Sequence, residues 1–599
     1  MKRLFLLGLV LSFLFNLAAQ ENDPRWEGLD KELNEILATW QAPSFAVAVV
    51  EKDKIVYAKG FGFADYENKV KADANTLYAI GSCTKAFTSS ILGLLRADGA
   101  LDFEDSPRQY IPNLTFYNDE LNSLVKIKDM MCHRTGLPRH DGSWYLFPTD
   151  SKDDLIKRIA HQKPFTGVRE QWYYNNFMFT AQGVIAEKLT GKSWAANVKE
   201  KLFDPLGMKR SNFSIPELEK SNNVAFGYEL DGDEIKRMDY YKIRAMGPAG
   251  SINSSVNEMA NWVITWINDG EFGGKEVLPA NYVQEAMSSQ MVVSGGTPGA
   301  EYPDLHMGNY GYGWFMSSYR GHYRVEHGGN IDGFSANTAF FPSDSIGIIV
   351  LVNQNGSGVP SLVRNTVADR ALRLSKREWS KERKERQDKA KETQKEAQGS
   401  TASNRKEGTN PSHALQAYTG NYEEPGYGTF NITLERDSLF VILPLQKLWL
   451  KHYHYDVFQP FTVEKDGIDK KEDSPQRFSF STNTMGDIEG LEIKIEPMLD
   501  PIFFKRSPEL VDVDKSILEQ YAGEYVLAGQ VFKVYTKAAG TLHVFVPGQP
   551  EYELQALGEH QFAIKGLDGF KVAFQQKDGK FGELVFNQPN GVFTAKRQK

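Results

Sequence analysis

Only two cysteines, Cys83 and Cys132, occur in 599 residues. A disulfide framework therefore cannot hold this chain together, and at most one bridge between the pair is available. Positive charge is not in excess either: 69 Lys and Arg stand against 77 Asp and Glu, a net charge of −8. That balance argues against a general binder of nucleic acid or of anionic membrane. No dinucleotide or phosphate-loop motif is present, and no cofactor is called for. Beyond the first twenty residues no apolar run is long enough to cross a bilayer. His452 and His454 share one strand face but lack Cys or carboxylate partners at ligand spacing, so no metal site is assigned.

The start of the chain is different. Lys2-Arg3 is a short basic opening, Leu4 to Phe15 is apolar except for Gly8 and Ser12, and Ala18-Ala19 supplies small residues. This is the pattern of a secretory signal peptide over residues 1–19, with cleavage after Ala19 and no stable membrane anchor. The expected location is exported, periplasmic or secreted. A length of 599 residues exceeds what one hydrophobic core supports, and two to four domains are expected.

Ser44 to Val50 and Lys54 to Ala58 read as strands around a turn at Glu51-Lys52-Asp53. Gly81-Ser82-Cys83-Thr84-Lys85 then leads into Ala86 to Leu95, whose apolar spacing is helical. A helix begun at Ser82 places Lys85 on the same face, three residues on. Cys83 beside Ser82 reads as a buried packing residue. Tyr174-Asn175-Asn176 precedes a second amphipathic helix from Phe179, and His133 reads as a hydrogen-bonded turn residue. Met246-Gly247-Pro248-Ala249-Gly250 is a small-residue loop ahead of a helix from Ser255 to Ile267, with Glu258 closing a capping box. Short strands follow from Tyr310 to Val352. His327 ends one of them, and Gly328-Gly329-Asn330 continues where a substrate can lie against backbone.

From Lys376 the charge density rises, with helix-supporting pairs Glu382–Arg386 and Glu385–Lys389, followed by a flexible polar linker; residues 376–411 carry no assigned chemistry. Tyr418-Thr419-Gly420-Asn421-Tyr422 returns as Tyr521-Ala522-Gly523-Glu524-Tyr525, about 103 residues later. Phe458 and Phe562 keep nearly the same offset. Short alternating strands in each copy predict two small β-barrel-like domains, 412–508 and 509–599.

Three stretches now stand in order: Ser82-x-x-Lys85, Tyr174-x-Asn176 and His327-Gly328-Gly329. With the His133-to-Pro138 turn, the Gly247-to-Gly250 loop and Tyr310-to-Trp314, they resemble the serine β-lactamase and penicillin-binding-protein family, in its class C, D,D-peptidase and esterase branch. The resemblance covers roughly residues 40 to 355. It implies an α/β (α+β) catalytic domain over 20–375, an antiparallel sheet flanked by helices. The C-terminal repeats resemble the lipocalin-like barrels appended to several members.

The resemblance implies Ser82 as nucleophile with Lys85 and Tyr174 as the other catalytic residues. Asn176, His327, Gly328 and Gly329 would bind or orient substrate, and the backbone N–H groups of Ser82 and Asn330 would form the oxyanion hole. A serine hydroxyl needs a base, and an ordinary lysine is protonated at neutral pH. Lys85 and a cation-stabilised Tyr174 phenolate both remain candidates, sharing one proton. His327, neutral or cationic near neutral pH, would give a pH dependence. The expected function is an exported serine hydrolase cleaving an amide or ester in a D-amino-acid peptide, cell-wall fragment, β-lactam or small ester. The alternatives are acyl transfer to an alcohol or amine, and a penicillin-binding sensor without turnover. The expected partner is a small-molecule or short-peptide substrate; oligomeric state leaves no signature in the sequence.

Overall fold

The computed structural model describes residues 23–598 except 241, 401–403, 466, 470–473, 508–509, 538–539, 559, 568 and 578. The expected signal peptide lies outside the described residues. The described residues form two compact units: one within Met1–Trp144 and Pro148–Thr401, the other within Tyr145–Phe147 and Ala402–Lys599.

The first unit is built on an antiparallel sheet. Its strands are β1 (Ser44–Glu51), β2 (Lys54–Asp65), β3 (Val70–Lys71), β4 (Met291–Ser294), β5 (Gly308–Tyr310), β6 (Phe315–Tyr319), β7 (His322–Ile331), β8 (Phe334–Phe341) and β9 (Ile346–Val352). Their spatial order is β4-β5-β6-β7-β8-β9-β1-β2-β3. The centre of the sheet is covered on both faces, which is why β1 and β9 read as nearly unbroken apolar runs. Alternation then divides β1 between two cores. Ala46, Ala48 and Val50 enter one, and Phe45, Val47 and Val49 the other.

Helices α1 (Leu29–Thr39) and α5 (Val359–Ala371) supply the second core with Leu33, Ile36, Val363 and Val367. Against the first core lie α2 (Thr84–Ala97), α3 (Asn176–Thr190) and α4 (Val256–Ile267). Phe87 of α2 stacks on Trp262 of α4 at 4.0 Å between ring centroids. Ser255 caps α4 by accepting the Glu258 N–H. The Glu258 carboxylate, however, accepts from the backbone N–H groups of Arg210 and Ser211, so the expected box is half made.

Two local readings change. β7 does not stop at His327 but runs on to Ile331, because Gly328, Gly329 and Asn330 pair with Asn337, Ala336 and Ser335 of β8. On the charged helix α6 (Trp379–Ser400), Glu382 pairs with Arg377 and accepts from the Tyr302 hydroxyl, while Arg386 turns to Glu301. Partners outside the helix displace the i,i+4 pairing expected from spacing.

The second unit contains two eight-stranded closed barrels. In the first, Gly420–Glu424 pairs with both Gly428–Glu435 and Ile502–Ser507, closing the circle. In the second, Gly523–Leu527 closes against Gly591–Arg597. The repeated tyrosines do the same work in each. The Tyr422 hydroxyl donates to the Tyr418 carbonyl at 2.7 Å, and Tyr525 to Tyr521 at 2.8 Å. Tyr418 meets Phe458, and Tyr521 meets Phe562, edge to face at 5.5 Å in both. Phe147 is buried in the first barrel's core with Phe430 and Phe504.

Candidate active site

Gly81–Cys83 forms one 3-10 turn that feeds directly into α2. Along Gly81 to Ser90, Ser82 is the one residue that keeps solvent access. The helical spacing brings the Lys85 Nζ to 3.1 Å from the Ser82 Oγ. Lys85 itself is fully buried, and Nζ donates to the Asn176 Oδ1 and to the Ala249 carbonyl, each at 2.7 Å.

Burial sets the protonation of this amine. Taking an ammonium out of water costs free energy, and the Lys85 pKa falls well below its ordinary value. Asp141 opposes that shift, whereas Arg139 adds to it. A neutral amine has two N–H groups and one lone pair. The amide and carbonyl oxygens can only accept, so they take both N–H groups. In that neutral form the lone pair is the part of the amine left for the serine hydroxyl. A lowered pKa and a 3.1 Å approach to Ser82 together suit Lys85 to accept a proton.

The Tyr174 ring centroid lies 4.7 Å from the Lys85 Nζ, and its hydroxyl neighbours Ser82. Its ring keeps partial exposure, but burial around the hydroxyl raises its pKa, and neither the nearby Ser82 hydroxyl nor Arg139 reverses this. The tyrosine is a phenol here and not the phenolate considered from the sequence. A neutral phenol can still relay a proton beside the amine.

The two adjacent asparagines divide their tasks. Asn175 caps α3, its Oδ1 accepting the Met178 N–H at 3.2 Å, while Nδ2 donates to the Pro138 carbonyl at 2.6 Å. Asn176, the first helical residue, presents Oδ1 to Lys85 and donates Nδ2 to the Asp141 Oδ1 at 2.8 Å. Asp141 also receives the Trp144 indole N–H at 2.8 Å and the Arg139 Nε–H at 2.6 Å. The Arg139 guanidinium lies 4.8 Å from the Tyr174 ring centroid. A continuous polar chain therefore runs from Arg139 through Asp141 and Asn176 to Lys85. Sequence reasoning passed over Arg139, Asp141 and the Ala249 carbonyl. The Arg-His-Asp run directly after the His133-to-Pro138 turn was the available signal for the first two.

His327 is buried in β7. Its Nδ1–H donates to the Gly328 carbonyl at 2.6 Å, leaving Nε2 to accept from the Tyr310 hydroxyl at 2.9 Å. Burial, reinforced by Lys85, drives its pKa down to about 3. The ring is neutral near pH 7, contrary to the switch expected from composition. It fixes the strand edge instead. His133 sits on the Tyr174 ring at 4.3 Å between centroids, and its Nδ1 accepts the Asn175 N–H at 3.1 Å.

The glycines of β7 differ from one another. A Cβ on Gly329 would lie 1.9 Å from the Ile80 carbonyl oxygen and 3.1 Å from the Ser82 nitrogen. One on Gly81, whose φ is +51°, would lie 2.8 Å from the Asn330 nitrogen. Strand and turn touch backbone to backbone, which brings the N–H groups of Ser82 and Asn330 to one corner. Gly328 has room for a Cβ, which would meet the Ala336 carbonyl oxygen at an ordinary contact distance of 3.7 Å. Cys83 and Cys132 are both free and buried. Cys83 donates to the His327 carbonyl at 3.1 Å, and burial pushes both thiols up to about 12, which opposes thiolate chemistry.

Among known proteins, the family profile described as Beta-lactamase matches residues 29–373. Residues 404–506 match a domain of unknown function, DUF3471. The chain is 26% identical over 359 residues to "Unguisins hydrolase ungD" of Aspergillus violaceofuscus, covering 56% of this chain and 63% of that protein. It is 26% identical over 347 residues to "Protein flp" of Staphylococcus aureus strain MW2, covering 56% of this chain and 65% of that one. The chain thus spans less than two thirds of these curated relatives. Among solved structures, an octameric penicillin-binding protein homologue from Pyrococcus abyssi shares the fold. It superposes with a TM-score of 0.53 at 20% identity, over 80% of this chain and 99% of that one. No helix among the described residues is long and apolar enough to cross a membrane.

Proposed function

Because the chain belongs to the beta-lactamase family, we propose that it is an exported serine hydrolase that cleaves an amide or ester through an acyl-enzyme on Ser82. One observation carries this reading. The Lys85 amine is buried, both its N–H groups are taken by acceptors, and it stands 3.1 Å from an accessible serine hydroxyl. As Oγ attacks the substrate carbonyl carbon, the Ser82 proton passes to the Lys85 lone pair, directly or through the Tyr174 hydroxyl. The N–H groups of Ser82 and Asn330 receive the developing oxyanion. The tetrahedral intermediate collapses by breaking the carbonyl C–N or C–O bond, and the proton goes to the departing amine or alcohol. Water then attacks the acyl-enzyme, gives its proton to Lys85, and releases a carboxylic acid with Ser82 restored.

A relative named as a hydrolase supports turnover, and the basic-then-apolar start of the sequence supports export. The test uses a fluorophosphonate and a fluorescent penicillin on wild type and Ser82→Ala, followed by a screen of D-aminoacyl amides, acyl esters and β-lactams. Ser82-dependent labelling with turnover of one substrate class is expected. Absence of Ser82-dependent labelling by both probes overturns the enzyme reading; a penicillin label that never clears, with no turnover of any screened substrate, identifies a sensor.

A further inference from the structure

A cavity of about 610 Å³ adjoins the nucleophile turn, a volume ordinary for small-molecule sites. Gly250 marks the junction. A Cβ there would lie 3.7 Å from the Gly81 carbonyl carbon on one side and 3.8 Å from the Ile243 Cδ1 on the other. Gly250 follows Ala249, whose carbonyl holds Lys85, and Ile331 in the cavity wall follows Asn330. The cavity therefore begins beside the turn that carries Ser82, against the Gly81 backbone. Trp194, Phe213, Ile215 and Ile243 make much of its wall apolar, with Trp194 edge-on to Phe213 at 5.4 Å.

Its charges are unequally spent. Lys152 pairs with Glu187 at 2.6 Å. Glu217 accepts from the Phe213 N–H and the Ser214 hydroxyl. Lys242 and Arg244, both exposed, have no side-chain partner among the described residues, and Asp150 is the one acid left against them. Two cations flanking Ile243 face a largely apolar space beside a nucleophile.

Resting on the hydrolase reading above, we propose that this pocket selects acyl donors with an apolar stem ending in a carboxylate. The carbonyl lies at Ser82, the stem passes Gly250 and Ile243, and the carboxylate is met by Lys242 and Arg244. Arg is suited to such a group by its forked donors, and Lys by its point charge. Rejection of a neutral end follows from the cations' loss of a partner, and rejection of an ammonium end from like charge.

The experiment compares p-nitrophenyl esters of one acyl length ending in carboxylate, methyl ester or trimethylammonium. In wild type, kcat/KM for the carboxylate is expected to exceed the methyl ester by roughly tenfold or more, the worth of one charge-assisted hydrogen bond. That ratio should shrink as salt is raised. It should fall toward one in Lys242→Gln/Arg244→Gln, and Lys242→Glu/Arg244→Glu should come to favour the trimethylammonium ester. Each variant is melted first, and the single Gln variants serve where a double variant is unstable. In parallel, Ser82→Ala is titrated calorimetrically with a dicarboxylic acid monoamide and with its diamide, where tighter binding of the monoamide is expected. Charge-blind turnover and binding, or a preference that survives the double Gln variant, overturns the proposal. Failure of every ester together with absence of Ser82-dependent labelling by both probes overturns the hydrolase reading instead, and the titration still reads the pocket.

Discussion

Lys85 is a cationic residue type placed where its charge is unwelcome. Lys85→Gln keeps the hydrogen-bonding length but lacks a basic lone pair. It should lower kcat/KM by roughly 10²–10⁴-fold, the usual worth of a general base, in assays with whichever substrate the screen identifies. The wild-type profile should rise with pH as Lys85 loses its proton and flatten well below the ordinary lysine range. Asp141 raises the Lys85 pKa, so Asp141→Asn should move that acid limb to lower pH while also reducing kcat. A residue that only stiffened the loop would leave the limb in place. Ser82 and Lys85 were legible because a three-residue helical spacing is a local fact. Asp141 was not, since its role arises only when the turn after His133 folds onto the first residue of α3. The pH role expected of His327 failed for a related reason: composition gives a residue type, while burial and a Gly328 carbonyl decide its charge.

Strand β7 and the Gly81–Cys83 turn act as one construction, and the glycines test it. Gly329→Ala forces a methyl against the Ile80 carbonyl at 1.9 Å, where both partners are backbone and neither can swing aside. A loss of roughly 1–3 kcal/mol or more is expected, as for other overpacked sites, together with activity, because the two N–H groups proposed to receive the oxyanion part. Gly328→Ala has room and should melt close to wild type. Thermal melts of the two variants side by side check the contrast. The glycine pair was visible in the sequence, but which of the two is sterically compelled was not, because the compelling atom belongs to Ile80, far away in the chain. The extension of β7 past His327 was hidden for a similar reason: pairing with β8 overrides the weak strand propensity of glycine.

Across the whole chain, three buried histidines of the first unit make its stability sensitive to acid. His327 is held down to about 3 and His140 to about 4, while His133 is also lowered, all by burial. An unfolded histidine binds its proton near pH 6.5. Between that pH and the folded values the unfolded chain holds more protons, so stability is full above about 6.5 and drains away as pH falls. Each histidine contributes a slope of up to about 1.4 kcal/mol per pH unit. Melting temperature against pH in wild type and His327→Gln should show a shallower fall in the variant. The barrels were legible from the tyrosine repeat, since Tyr422 and Tyr525 each turn back to the carbonyl four residues earlier. Tyr422→Phe and Tyr525→Phe should each cost roughly 1–3 kcal/mol by orphaning a buried acceptor, measured by denaturant melts. Closure of each barrel was less legible, because it depends on the pairing of the first strand with the last.

The way Asn176 and Ala249 occupy Lys85 has one more consequence. When the amine takes the serine proton, its two older N–H groups are already committed, so the new one must lie along the former lone pair. The ammonium is a donor with a fixed bearing, aimed at the oxygen that supplied the proton and at the bond about to break there. In the proposed acyl-enzyme cycle, proton return needs no swing of the side chain, and the same line of travel serves acylation, deacylation and recovery of the resting state.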